Sequence, residues 1–407
     1  MPRRRSYLLN VTPVADTANT TDEARDAATM LSSLRVLIVH QWLYTWAGAE
    51  RDLEQLVEVF PQADVLAGIV TPAMRRRHEI ARRARETWVG RLPGARRHHR
   101  WFLPAQALAF SRVDTSAYDL IVSISHAFEK AVRAQREGAR HICYCLTPPR
   151  YLWDMTEAHG RLATPIQRIA LNAARRPLRT LDLRTVENVH HFISQSQTVA
   201  DRVWRTYGRE SSVVYPPVAP KPLAATVSSR EKFLFTLGRL VPYKRVELAM
   251  AAAERLRIPL IVAGDGPDRA RLEKLAGRYT DFRGEVSDAS AGDLLSRCAA
   301  FLFCAEEDFG IAPVEANAHG APVIAFGRGG ARETIIDGST GVFFEHLSVE
   351  AVCDAIQRCM RLPWDERALR QNAARFAPEQ FRKGMQREIA RVLTNGAETP
   401  VSRQVPA

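Results

Sequence analysis

From Leu34 onward the chain alternates short apolar runs with amphipathic stretches. "LRVLIVH" (Leu34 to His40) is a β-rich run, and "GAERDLEQLVEVF" (Gly48 to Phe60) carries its apolar residues at helical spacing, so the first unit reads strand, turn, helix. The theme returns in "DLIVSIS" (Asp119 to Ser125), "HICYC" (His141 to Cys145) and "HFISQS" (His191 to Ser196). Runs that are apolar on both faces suit a parallel sheet covered by helices. A proline-rich stretch, "VVYPPVAPKPLA" (Val213 to Ala224), stops regular structure and reads as a linker. Beyond it the alternation resumes: "FLFTLGRL", a helix over Lys244 to Leu256, "IPLIVAG", a helix over Pro267 to Tyr279, then "AAFLFC", "APVIAF" and "GVFF". The pattern predicts an α/β chain with two Rossmann-like, doubly wound domains, residues 34–213 and 214–378, whose ligand-binding strand ends face a central cleft. Residues 1–33, polar and without usable periodicity, are expected to be a mobile N-terminal extension.

Composition narrows the class. A chain of 407 residues, 46% of them hydrophobic, has room for two sizeable cores. No apolar run approaches the roughly 20 residues that span a bilayer. The basic start, "MPRRRSYLLNV", lacks the long apolar run and cleavage site of a secretory signal, so a cytoplasmic protein is expected. The six cysteines show no zinc-binding spacing and are expected to be mostly buried thiols. Of the charge, 57 basic against 45 acidic residues, much of the excess lies in "RRRHEIARRARETWVGRLPGARRHHRW" (Arg75 to Trp101), which reads as a basic helix followed by a turn. It is either a solvated arginine-rich face or a patch for anionic lipid head groups at the inner face of a cell membrane. Nucleic acid is the weakest option, because no helix-turn-helix, zinc finger or aromatic RNA-binding signature accompanies the charge.

The strand-end turns carry candidate chemistry. "GRLVPYK" (Gly238 to Lys244) offers Arg239 and Lys244 at the mouth of a sheet, cations that suit a diphosphate or an ordinary solvated loop. In "EEDFGIAPVEANAHGAPVIA" (Glu306 to Ala325), a loop holding Glu307 precedes a helix that starts after Gly310, carries Glu315 in its opening turns and stops at Gly320. Its N-terminus aims free N–H groups into the cleft, where they suit a phosphate. A carboxylate accepts two hydroxyls of a sugar, so one glutamate suits a ribose and the other a hexose.

Taken in order, "GRLVPYKRVE", "VAGDGPDRARLE", "FRGEVSD", "EDFGIAPVEANAHGAPVIA" and "GGARETIIDGSTGVFF" resemble the retaining glycosyltransferases of family 4, which have the two-domain GT-B fold. "VLIVHQW", "WAGAERDLEQL", "DLIVSISHA", "HICYCLTPPRYLWD" and "VVYPPV" resemble the branch containing bacterial polysaccharide mannosyltransferases. The resemblance implies that Glu307 and Glu315 form the family's E-x7-E pair, the first near the donor sugar and the second on the nucleotide ribose. It implies that Phe309, Gly310 and Ile311 present backbone amides to sugar and phosphate, that Arg239 and Lys244 neutralise the diphosphate, that Val286 meets the base, and that Gly48 approaches the donor's phosphates. It also implies that residues 379–395 form a C-terminal helix crossing back to the first domain.

One position departs from the pattern: Leu146 stands where relatives commonly have a histidine that contributes to the reacting centre. His126 in "SISHA" is the substitute candidate, set against a packed structural role. No Asp-x-Asp triplet occurs, so no metal is expected to be required and no cofactor beyond the nucleotide-sugar substrate. The resulting expectation is retaining transfer of mannose from GDP-mannose to a lipid-linked glycan precursor in surface polysaccharide assembly. The alternatives are a UDP-sugar transferase for a soluble natural product, a non-catalytic nucleotide-sugar binder, and a retaining glycoside hydrolase, whose paired carboxylates need no basic diphosphate loop.

Overall fold

The computed structural model describes residues 29–154, 165–219 and 230–394. Two parallel sheets organise it. The first has seven strands in the order β3-β2-β1-β4-β5-β6-β7: β1 Val36–Leu43, β2 Asp64–Val70, β3 Arg85–Glu86, β4 Leu120–Ser125, β5 Arg140–Cys145, β6 His191–Ser194 and β7 Ser211–Val213. The second has six in the order β10-β9-β8-β11-β12-β13: β8 Leu234–Leu237, β9 Leu260–Ala263, β10 Thr280–Gly284, β11 Ala300–Phe303, β12 Val323–Phe326 and β13 Gly341–Phe344. Both follow the Rossmann winding, in which strand order reverses once and opens a crevice at the reversal. Those reversals lie between β1 and β4 and between β8 and β11. Strands β1, β4, β11 and β12 are buried almost throughout, which explains why their sequences are apolar on both faces.

The helix Pro378–Thr394 returns to the first sheet. Its Phe381, Met385, Ile389 and Val392 are buried in the same hydrophobic cluster as Val36, Ile38, Val122 and Tyr144, and Phe381 meets the Tyr144 ring edge-on. A Cβ at Gly384 would stand 2.9 Å from Val214 Cγ1, so glycine lets this helix lie close to the connector between the sheets. That connector is itself packed: Val218 shares a buried cluster with Phe309, Val314 and Phe376, and its N–H donates to the Phe376 carbonyl at 2.8 Å. The rest of the proline-rich stretch, from residue 220, lies outside the described residues.

Four expectations change. The helix expected over Pro267 to Tyr279 runs only Arg269–Leu275. Residues 29–33 are helical rather than part of a mobile extension, because Leu31 is buried in the first core and Gln62 donates to the carbonyls of Leu31, Ser32 and Leu34; residues 1–28 lie outside the described residues. The stretch from Arg75 to Trp101 is not one basic helix. Helix Pro72–Arg77 ends at His78, whose ring stacks on Trp46 at 3.6 Å, and the short helix Glu79–Arg83, β3 and two 3-10 turns follow. The helix expected from Lys244 begins instead at Val246, after a 3-10 turn over Pro242–Lys244 and a left-handed Arg245. All six cysteines are free and buried, as expected.

Candidate active site

The two strand-order reversals face each other, and the loops leaving β1, β4, β8 and β11 make the walls between them. On the C-terminal side, β8 runs out into Gly238, whose φ of +147° only glycine adopts without strain. A Cβ there would stand 2.7 Å from the Lys244 ammonium, so this glycine lets the lysine fold back over its own loop. Lys244 Nζ then lies 2.9 Å from Glu307 Oε1, on the loop after β11. Burial is the largest single influence and works against the lysine's charge, but the Glu307 carboxylate and Tyr243 together hold its pKa above the ordinary value. Arg239 is exposed and makes no hydrogen bond or ion pair among the described residues, so of the two expected diphosphate cations one is engaged and one is open.

The Glu307 loop is held from behind. The Gly330 N–H donates to the Glu307 carbonyl at 2.9 Å, and a side chain at Gly329 or Gly330 would collide with the backbone of Glu307 or Phe309. The paired glycines of "GGARE" thus allow one loop to brace another. Phe309 turns its ring inward against Tyr215 and Phe376 at 5.8 and 5.3 Å, leaving its backbone for the cleft wall. Gly310, at φ +92°, turns the chain into the helix Ile311–Ala318, and Glu315 lies one turn in. Val286 follows β10 at the same edge of the sheet, partly buried. The C-terminal candidates therefore lie at one edge of the second sheet, where Lys244 meets Glu307, and among the described residues no contact links Val286 to either carboxylate.

The N-terminal side reaches across. Gly48 opens the helix Gly48–Val59, and a Cβ on it would stand 3.0 Å from Ile311 Cδ1, so the two domains meet where sequence placed glycine and helix start. Arg51, one residue triplet further, donates from Nη1 to Glu315 Oε1 at 3.0 Å. Asp308 gathers Arg202 at 2.6 Å and Arg150 at 3.5 Å, while its carbonyl accepts from Ser196 Oγ at 2.5 Å. Glu333 caps the helix Gln197–Tyr207 from the other domain, accepting from Gln197 N at 2.7 Å and Thr198 N at 2.9 Å. Sequence reading missed Arg51, Asp308, Arg202 and Glu333. Asp308 sits inside the stretch that drew attention to its neighbours, and Arg51 lies in the first turn of a helix already aimed at the cleft; those positions were the available signal.

His126 follows β4 at the first sheet's reversal. Its Nδ1 lies 3.2 Å from Glu129 Oε1, and the Trp42 ring meets it edge-on at 5.2 Å. Trp42 in turn meets His99, which meets the exposed Tyr44, so a row of rings runs from His126 toward solvent. Leu146 follows β5, partly buried against the first core, with its N–H donating to Ser125 O at 2.8 Å. It offers no polar atom of its side chain to the cleft.

Comparison with known proteins agrees with this geometry. The glycosyl transferases group 1 family matches residues 224–376. The human alpha-1,3/1,6-mannosyltransferase ALG2 is 30% identical over 207 residues, 43% of this chain and 49% of that protein. A Mycobacterium tuberculosis glycogen synthase is 33% identical over 160 residues, covering 36% and 37% of the two chains. A GDP-mannose-dependent alpha-mannosyltransferase of Mycolicibacterium smegmatis is 34% identical over 110 residues, covering 27% and 29%. The chain thus spans half or less of the length of these curated relatives. Among solved structures, Anabaena HepE in complex with UDP superposes with a TM-score of 0.63 at 17% identity, over 89% of this chain and 100% of that one, a likeness of fold. Residues 224–376 thus match the group 1 glycosyl transferases, the paired Rossmann-like sheets have the GT-B fold, and mannosyltransferases are among the proteins the chain is similar to.

Proposed function

We propose that the protein is a retaining glycosyltransferase that moves mannose from GDP-mannose to a lipid-linked glycan precursor in surface polysaccharide assembly. The observation that carries the reading is the convergence of Lys244, Glu307, the Gly310 turn and Glu315 on one side of the cleft with Gly48 and Arg51 on the other. Lys244 and Arg239 stabilise the charge that develops on the departing diphosphate, so no divalent ion is needed for that task. Glu315 holds the ribose hydroxyls and Glu307 the donor hexose. Backbone N–H groups of Phe309, Gly310 and Ile311 meet the sugar and phosphate at the helix start, and Val286 meets the base. The bond from the sugar C1 to the phosphate oxygen breaks, the nucleoside diphosphate leaves with the electron pair, and the acceptor oxygen bonds C1 on the same face. The acceptor's hydroxyl proton passes to His126. Closure of the two domains excludes water and limits hydrolysis of the donor.

The mannosyl donor is supported by the mannosyltransferase relatives, and the lipid-linked acceptor by the basic surface of residues 75–101 in the N-terminal domain. Arg76, Arg77, Arg82, Arg83, Arg96 and Arg97 are exposed there, as are Trp88 and Trp101, and Arg75 and Arg96 both pair with Glu86. Among the described residues no helix is long and apolar enough to cross a membrane, so contact with lipid would be peripheral. The test is transfer from GDP-mannose to a membrane lipid extract, with the product's anomeric configuration read by NMR and with a chelator present. A retained α-linkage formed without metal is expected. Inversion, or transfer only from a UDP-sugar to a water-soluble acceptor, would overturn the assignment. Binding to anionic vesicles that weakens at high salt is expected alongside.

A further inference from the structure

We infer that Glu129 is a positioning residue for His126, fixing the ring's tautomer so that Nε2 faces the acceptor as a hydrogen-bond acceptor. The inference deepens the glycosyl-transfer reading and rests on it for the identity of the group that His126 meets. Glu129 is fully buried, at 0% exposure, one turn beyond β4. Every contact it makes is with a donor: its Oε2 accepts from Ser125 Oγ at 3.0 Å and Ala127 N at 2.9 Å, and its Oε1 from His126 N at 3.3 Å. An ionised carboxylate suits such a setting because it only accepts. The same Oε1 stands 3.2 Å from His126 Nδ1. A carboxylate facing one ring nitrogen places the proton there and leaves the other nitrogen bare. Nδ1 is shut away from solvent and has no hydrogen-bond partner among the described residues, so the facing Glu129 oxygen acts on it as a charge at 3.2 Å, and the side chain as a whole is 28% exposed.

The surroundings keep this arrangement in place. The Trp42 ring holds the imidazole edge-on. Lys130, next to Glu129, donates to the Ala127 carbonyl at 2.7 Å and to Asp182 at 2.6 Å, and Asp182 also accepts from Trp153 Nε1 and Tyr207 OH, so the loop is anchored to three helices around it. His40, on β1, faces both His126 and Glu129; burial, then His126, lower its pKa to about 4, so it adds no charge at neutral pH. With Leu146 unable to take a proton and His40 buried, His126 is a part-exposed imidazole at this sheet's reversal, and Glu129 is what orients it.

Glu129→Gln separates this role from simple loop pinning. The amide oxygen can still serve Ser125 and Ala127, but the NH2 takes the place of Oε1, donates to Nδ1 and moves the ring proton to Nε2. Long-range 1H–15N spectra of histidine-labelled protein, with His126 assigned through His126→Asn, are expected to show the Nδ1–H form in the wild type and the Nε2–H form in Glu129→Gln. Turnover in the transfer assay should fall about tenfold or more while the donor KM holds, since a misoriented base loses much of its contribution. An Nε2–H tautomer in the wild type, or an unchanged spectrum in the variant, overturns the proposal. The wild-type spectrum decides even if the variant does not fold. Wild-type protein that shows the Nδ1–H form yet transfers sugar from no donor would overturn the glycosyltransferase reading and leave the Glu129–His126 geometry standing.

Discussion

The two walls of the cleft are built differently. The C-terminal wall is charged and braced: Lys244 is paired with Glu307, a double glycine supports the loop from behind, and the family match covers it entirely. The N-terminal wall is aromatic and histidine-bearing, with Trp42, Tyr44, His99 and His126 in a row, and the apolar Leu146 follows β5. A diphosphate and a ribose are common to many donors and demand one arrangement of cations, N–H groups and carboxylates. An acceptor differs from enzyme to enzyme, so the wall facing it is free to change. The fold supplies the cleft and the loops supply the difference.

The largest effect should come from breaking the charged wall. Lys244→Ala removes a cation from the developing diphosphate and leaves Glu307 without its partner; turnover measured by nucleotide release is expected to fall about 100- to 1,000-fold. Glu307→Ala and Glu315→Ala should then divide. The first is expected to lower turnover more than nucleotide affinity, the second to weaken nucleotide binding in calorimetry by about tenfold or more, as a lost charged hydrogen-bond partner does. Equal activity in the two variants would erase the distinction between hexose and ribose carboxylates.

Acid should lower stability through two buried histidines. Burial keeps His40 and His141 neutral, both in the first sheet, with folded pKa values lowered to about 4 and about 3. His141 is satisfied in that form, with Nε2 2.9 Å from Ser123 Oγ and Nδ1 3.0 Å from Asn188 O. Both folded values lie below the ordinary histidine value of 6.5, so above that pH neither state binds the proton and stability is indifferent. As pH falls below it, the unfolded chain takes up protons that the native chain refuses, and stability drops until the folded values are reached. In urea melts between neutral pH and about pH 4, His141→Gln should therefore lessen the loss of stability relative to the wild type.

The smallest effect is expected at the seam. Arg51 and Glu315 form a partly exposed pair, at 34% and 20%, so solvent screens much of its worth. Arg51→Ala should leave the fold intact and slightly raise the ligand-free radius of gyration in small-angle scattering. An unchanged radius would mean that Asp308 with Arg202, and Glu333 with the Gln197–Tyr207 helix, hold the domains together without it.

The sheets were legible because strands buried on both faces must be apolar along their length. β3, β7 and β10 escaped for the opposite reason, being short or edge strands with polar, half-exposed positions, whereas β2, Asp64–Val70, is apolar and buried and went unread all the same. Arg75 to Trp101 misled because charge density says nothing of where a helix ends, and the Trp46–His78 stack that ends it joins residues far apart in sequence. That Arg239, Lys244, Glu307 and Glu315 lie at one edge of the second sheet could be read from their turns, since strand, loop and helix fix that edge. Their partners could not. Arg51 meets Glu315 across 264 positions, and only the closed pair of domains brings them together.

The central claim is that this cleft holds a nucleoside-diphosphate sugar by its ribose and phosphates. A thermal-shift panel with GDP-mannose, UDP-glucose, UDP-N-acetylglucosamine and dTDP sugars, on wild type and Glu315→Ala, tests it most directly. At 100 times its dissociation constant, the true donor should stabilise the native protein by about 2.7 kcal/mol and raise its melting temperature, and the variant should lose that response. GDP-mannose is the expected donor. A wild type indifferent to every donor, or a Glu315→Ala protein that responds as well as the wild type, would contradict the account.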